Sequence, residues 1–240
     1  MTPTHVLGID SSTQSCKALL VDAATGEIVA SSRQPHLPGT QINPERWIEA
    51  LEASAGGLID RAAALSVAGQ QHGMVALDAR NEPVRDAMLW NDVSSAPQAA
   101  QLGGELGGAQ ATADKVGSVL VASLTITKLR WLREHEPANA RRTAHVVLPH
   151  DYLTWHLGGR KEFVTDHGDA SGTGYYSTAE RRFLPELAEQ ALGHRVQLPR
   201  LAAANELVGQ TAQGAKIAAG TGDNMAAALG LDLQPGDVCV

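Results

Sequence analysis

The chain has 240 residues, 43% hydrophobic and 19% charged, with a formal net charge of −7. That is the balance of an ordinary globular protein with room for a sizeable core, and the absence of a long basic run argues against a nucleic-acid binder that works through backbone electrostatics. No apolar run reaches the length of a membrane span, Met1 is not followed by a signal pattern, and the two cysteines, Cys16 and Cys239, are too separated to suggest a disulfide framework, so a cytoplasmic setting is expected.

Residues 5–33 read as three strands: "HVLGID", continuous, apolar and expected to be buried, then "CKALLVD" and "GEIVASSR". "NPERWIEALEASAGGLIDRAAAL" reads as a helix, with Asn43 able to cap it and Pro44 suited to its first position. Trp47, Leu51, Leu58 and Ile59 fall along one face, and Gly56–Gly57 predict a kink or an early end. "LSVAGQ" and "MVALDAR" are strands. "AMLW" is a short strand entering "NDVSSAPQAA", a predicted helix. "LGGELGGAQATADK" is predicted as a Gly-rich loop and "SLTITKLRWLREHEP" as a helix. "AHVVLPH" is a strand and "DYLTWHLGG" a helix ended by glycine. "RRFLPELAEQALGH" reads as a helix broken near Pro185, and "KIAAGTGDNMAAALGL" as strand, tight loop and helix. The final "GDVCV" looks like the opening of a further strand. Three consecutive strands followed by alternating strands and helices predict an α/β domain with a mixed sheet flanked by helices.

Three stretches carry candidate chemistry. In "GIDSSTQSCK" a strand delivers Asp10 to a turn, where a carboxylate suits a hydrated divalent metal. The N–H groups of residues 11–15 and the hydroxyls of Ser12, Thr13 and Ser15 can form an anion site, and Lys17 adds positive charge. Ser and Thr are common in turns, so spacing alone favours an ordinary polar hairpin. In "GTGDNMAAALG", Asp223 opens an Ala-rich helix. It can be an N-cap, a general base held ionised by the helix dipole, or both. In "VAGQQHGM", Gln70, Gln71 and His72 follow a strand, where polar groups can meet sugar hydroxyls, and "MLWND" places Trp90, Asn91 and Asp92 at another strand end. A lone histidine is more often structural, Trp90 alone reads as core, and Asp92 alone as an N-cap. His145, His150 and His156 lack metal-ligand spacing, and Asp166 and Asp169 in "HGDASGTGYYS" can border a site, with a surface loop the favoured reading.

Together and in this order, "GIDSSTQSCK", "VAGQQHG", "MLWND", "LPHDYLTWHLGG", "TDHGDASGTGYYS" and "GTGDNMAAALG" resemble the N-terminal half of a carbohydrate kinase of the FGGY family. The resemblance runs from about Val6 to the last residue. It implies a ribonuclease-H-like, actin-like ATPase fold, this chain forming the sugar-binding N-terminal lobe (residues 1–240) of a two-lobed enzyme. "GQQHG" with "LWND" points to the branch that phosphorylates D-xylulose with ATP and Mg2+. By resemblance Asp10 places magnesium, and Ser12, Thr13 and Lys17 lie near the phosphates. Gln71, His72, Trp90, Asp92 and Asn224 line the ketose pocket, and Asp223 is the base. Two departures are visible: Ser12 stands where the family usually has glycine, and Gln71 where other members carry methionine.

Full family members are roughly twice this long. The chain is therefore expected to be a fragment that needs a C-terminal nucleotide-binding lobe, binds sugar weakly alone and does not turn over ATP. A homodimer stays open. The alternatives are a kinase for another ketose or polyol, such as ribulose or glycerol, and a non-catalytic sugar-binding fragment. All of this rests on Asp10 and Asp223, distant in sequence, sharing one crevice.

Overall fold

The computed structural model describes residues 4–234 and 236–238. β1 (His5–Ser11), β2 (Ser15–Asp22) and β3 (Ile28–Pro35) form an antiparallel meander in a seven-stranded sheet. Leu7 and Ile9 of β1 and Cys16, Ala18 and Leu20 of β2 point inward, as period-2 alternation requires. The first strand is not covered on both faces as its composition predicts: Val6 and, on β2, Leu19 are 37% and 40% exposed on the opposite face.

β4 (Gln41–Ile42) leads into α1 (Glu45–Ile59). The Asn43 side chain accepts the Glu45 N–H at 3.0 Å, while Pro44 stands at the cap position. Gly56 and Gly57 do not end this helix early. Trp47, Ile48, Leu51, Ala55 and Ile59 pack on the sheet, and that burial outweighs the propensity cost of two glycines.

β5 (Ala64–Gly69) then pairs parallel to β1. The middle of the chain builds a second apolar cluster beside the sheet. It contains β6 (Val75–Leu77), β7 (Ala87–Met88), α2 (Ala96–Glu105), α3 (Ala109–Val116), α4 (Thr125–His135), α5 (Pro137–Arg142) and β8 (His145–Val147). The segment predicted as a Gly-rich loop is mostly helical. Leu102, Thr112 and Val116 are buried and anchor α2 and α3, and the glycines act as punctuation: Gly107 and Gly108, at φ +93° and +91°, make the turn between them.

α6 (Pro149–Leu157), β9 (Val164–Thr165), α7 (His167–Ala170), β10 (Tyr176–Ser177) and β11 (Arg182–Phe183) follow. The predicted break at Pro185 is instead the start of α8 (Pro185–Leu192), where a missing N–H costs nothing. After β12 (Arg200–Leu201), β13 (Leu207–Gln210) and β14 (Lys216–Ala218) return to the main sheet, with β14 parallel to β5. β15 (Thr221–Gly222) pairs with the far end of β5 and leads directly into α9 (Asp223–Gly230). Gly236–Val238 form no strand; Cys239 and Val240, the rest of that expected element, lie outside the described residues.

Candidate active site

The carboxyl ends of β1, β5 and β15 make one row. Asp10 pairs with Ala68, and Ala68 with Thr221; one step on, Ser11 pairs with Gly69, and Gly69 with Gly222. Asp10 and Thr221 are therefore two strand spacings apart, about 10 Å between backbones. Asp223 follows at the head of α9, and the charge of Asp10 raises its proton affinity. Both carboxylates stand at the carboxyl ends of neighbouring strands, where open α/β sheets bind ligands, but only Asp223 lines the hollow found there.

A hollow of about 200 Å³ opens there, lined by Thr13, Gln71, His72, Trp90, Asp223 and Asn224. Its walls are tied across large sequence separations. Asn224 Nδ2 donates to Gln71 Oε1 at 2.9 Å, and Trp90 Nε1 donates to Thr13 Oγ1 at 2.8 Å. Gly222 is required between them, since a Cβ there would sit 2.5 Å from Gln71 Cγ. Asp223 is the first residue of α9 and not its cap, a position held by Gly222. Burial raises the Asp223 carboxyl above its ordinary value, with Asp10 and Asp169 adding to the shift; the N–H groups of Asn224, at 2.9 Å, and Gln71 oppose it. Desolvation outweighs these N–H groups at the head of α9, and the carboxylate is a better proton acceptor for it.

The hairpin between β1 and β2 adjoins this hollow. A second depression of about 340 Å³, lined by residues including Ser12, Thr13, Lys17 and Arg33, shares Thr13 and Trp90 with the first. Asp10 Oδ2 receives Ser12 Oγ and Lys17 Nζ, each at 3.4 Å, and its side chain is 39% exposed. Ser15 is buried and its Oγ accepts Arg33 Nε at 3.0 Å, so that hydroxyl is already engaged.

Asp92 is not part of the wall. It is buried behind it, accepting Gln41 Nε2 at 2.8 Å and Thr40 Oγ1 at 3.2 Å on one oxygen, and the N–H and hydroxyl of Ser94 on the other. Its carboxylate organises the turn after Trp90.

Sequence reasoning missed the floor of the site. The "HGDAS" segment is not a surface loop: Asp169 is fully buried, and Asp166 caps α7 while receiving Thr221 Oγ1 at 2.9 Å. His150 Nδ1 donates to Asp169 Oδ2 at 2.5 Å and lies 3.3 Å from Asp151 Oδ1, with all three side chains completely enclosed. In this arrangement Asp169 holds the ring through Nδ1, and Asp151 Oδ1 faces the same nitrogen without a hydrogen bond of its own. The two carboxylates raise the His150 pKa to about 9 against the cost of burial, while burial pushes Asp151 up to about 7. His150 packs its Cβ against Gly69 and its ring under Gly220, beneath the loop that carries Asp223. The small residues around Asp169 were the one available sign of tight packing.

Residues 5–234 match the family described as the FGGY family of carbohydrate kinases, N-terminal domain. The chain belongs to this family. It is 50% identical over 246 residues to a xylulose kinase of Streptomyces coelicolor, an alignment covering 96% of this chain and 51% of that one. Against a xylulose kinase of Escherichia coli the identity is 31%, covering 95% and 50%. The solved xylulose kinase of Bifidobacterium adolescentis superposes with a TM-score of 0.92 at 37% identity, covering 98% of this chain and 56% of that one. The chain thus spans about half the length of the curated FGGY relatives it matches. Its fold is the ribonuclease-H-like, actin-like ATPase domain, in the position of the N-terminal lobe.

Proposed function

We propose that this chain is the sugar-binding N-terminal lobe of a kinase that transfers the γ-phosphoryl group of ATP to D-xylulose, giving D-xylulose 5-phosphate. The observation that carries the reading is the hollow that sets Asp223, with its raised proton affinity, among Gln71, Asn224, His72 and Trp90 and beside the Asp10–Lys17 hairpin. The xylulose kinases among the relatives support the choice of sugar.

Trp90, 45% exposed, offers an aromatic wall for the apolar face of the sugar, and the amides of Gln71 and Asn224 hold its hydroxyls. The terminal hydroxyl gives its proton to Asp223. Its oxygen bonds to the γ-phosphorus as the bond to the β–γ bridging oxygen breaks, and ADP departs with that electron pair. A carboxylate suffices as base because a loose transition state demands little early proton removal. Asp10 fits a magnesium ion: it is a hard oxygen donor, partly open to solvent, with only long contacts to Ser12 and Lys17. The bound ion supplies charge neutralisation at the phosphates, and Ser12, Thr13 and Lys17 flank them. Gln71, held by Asn224, gives this pocket a polar contact.

Met225, Leu229 and Leu231 leave an apolar face on and just after α9 exposed, which suits a second lobe closing over the cleft. No described helix is long and apolar enough to cross a membrane, and the working compartment we infer is the cytoplasm. Without the second lobe the domain binds the ketose weakly and does not turn over ATP.

The test is a coupled ADP-release assay on the full-length kinase with D-xylulose, D-ribulose and glycerol. D-Xylulose is expected to give the highest kcat/KM. Asp223→Asn is expected to lower kcat by about 10²–10⁴ while leaving the sugar KM within a few-fold. Near-normal turnover by this variant removes Asp223 from the base role.

A further inference from the structure

His72 combines two features that ordinary loop histidines do not share. Its backbone lies at φ +65°, the left-handed region that favours glycine. Its ring is pressed against Gly172, one hundred residues away, where a Cβ would fall 2.1 Å from Nδ1 and 2.3 Å from Cε1. The conformation is held from both sides. Thr125 Oγ1, at the head of α4, donates to the His72 carbonyl at 3.1 Å, and the next residue, Ile126, donates its N–H to Thr173 O at 2.8 Å. The start of α4, the 172–173 turn and the His72 backbone therefore form one junction.

The ring hydrogen bond has a chemical consequence. His72 Nδ1 lies 2.9 Å from Gly172 O, and a carbonyl oxygen only accepts. Nδ1 must therefore carry the proton. Burial lowers the His72 pKa, outweighing the pull of the Gly172 bond and of Asp169, and Lys128 opposes a second proton as well. Asp223 lines the same hollow. Among the described residues Nε2 has no hydrogen-bond partner within the protein. A neutral ring with its proton committed to Nδ1 presents Nε2 as an acceptor, and His72 is part of the hollow's wall.

We propose that Gly172 is a specificity-determining residue: its carbonyl fixes the Nδ1–H tautomer of His72 and its missing side chain admits the ring, so that the pocket reads a sugar hydroxyl as a donor through Nε2. Gly172 acts through His72 and is a positioning residue, not a catalytic one. The proposal rests on the sugar-kinase reading for the identity of the ligand, but the tautomer is a property of the unliganded protein.

Long-range 1H–15N correlation spectra of the ring-15N-labelled full-length kinase near pH 7.5, with His72→Gln used for assignment, read the tautomer directly. The expected result is a protonated Nδ1 and an unprotonated Nε2; an Nε2–H tautomer or an imidazolium overturns the proposal. Gly172→Ala is expected to raise the D-xylulose KM at least tenfold with kcat changed less than threefold, and to scramble the His72 ring signals. A Gly172→Ala enzyme with KM within twofold of wild type overturns it too. Should that variant fail to fold, the wild-type spectrum still decides. An Nδ1–H ring in a protein that does not phosphorylate sugars would leave the Gly172-fixed tautomer standing and bring down both the sugar as its ligand and the function proposed above.

Discussion

Replacing Asp169 by Asn tests whether the enclosed His150–Asp169 contact is a true ion pair. Both side chains have no exposure and meet at 2.5 Å. The carboxylates raise the His150 pKa while burial raises the carboxyls of Asp169 and Asp151, so the folded cluster favours retaining a proton that the unfolded chain releases. Removing one partner of a buried pair costs about 3–5 kcal/mol, because the other charge is left enclosed and uncompensated. In a domain of this size each kcal/mol moves Tm by about 2–4 °C, so Asp169→Asn is expected to melt ~6–20 °C lower. The pH dependence has a definite sign. Above 6.5 the unfolded ring releases its proton while the folded ring keeps it, so this contribution is complete below pH 6.5 and is lost as pH rises through about 9. Differential scanning calorimetry from pH 6 to 9.5 should show wild-type stability falling across that window, and His150→Gln flattening the fall. An Asp169→Asn protein melting within 2 °C of wild type at pH 6.5 refutes the ion pair, as does an unchanged pH slope in His150→Gln.

Two further substitutions probe the hollow itself. Gly222→Ala puts a Cβ 2.5 Å from Gln71 Cγ and 2.6 Å from Nε2, forcing the amide off Asn224. The sugar KM of the full-length kinase should rise about tenfold, the equivalent of ~1.4 kcal/mol and within the usual cost of overpacking. An unchanged KM would mean that the Gln71–Asn224 bridge does not shape the pocket. Trp90→Phe keeps an aromatic wall but loses the 2.8 Å bond to Thr13. One such bond is worth about 0.5–1.5 kcal/mol, so a KM increase of roughly 2–10-fold is expected, and a larger effect on Tm than on KM would place the bond in folding and not in binding.

The meander was legible because three apolar runs arrive in succession with turn residues between them, and an antiparallel ribbon is the only short-loop answer to that pattern. The helix beginning at Asp223 was legible for the same local reason, a glycine turn running into alanines. α2 and α3 were not, because four glycines within residues 102–115 make the segment look unstructured. What holds it helical is the burial of Leu102, Thr112 and Val116 against partners in α4 and beyond. Asp92 was hidden in another way: alone it reads as an N-cap and only the resemblance gave it a place in the pocket, while the partners of its oxygens, Thr40, Gln41 and Ser94, come partly from a distant segment.

The site is assembled from the ends of elements that no local signal connects. Asp10 and Thr13 close the first hairpin, Gln71 and His72 follow β5, Trp90 follows β7, and Asp223 and Asn224 open α9. What brings them together is the parallel row Asp10–Ala68–Thr221, which exists only once β1, β5 and β15 have paired across more than two hundred residues. Close backbone approaches surround the row, and glycine is the residue that allows them: Gly69 against His150 of α6, Gly222 against Gln71, and Gly172, after α7, against His72. A glycine in a turn and a glycine at such a contact look alike in a sequence. The difference lies in whether a distant side chain occupies the space a Cβ would take, and for this cleft that occupant is each time a polar residue at or under the binding surface. The same pairing that closes the sheet therefore also sets Gly222 against Gln71 and, one residue on, Asp223 at the edge of the hollow.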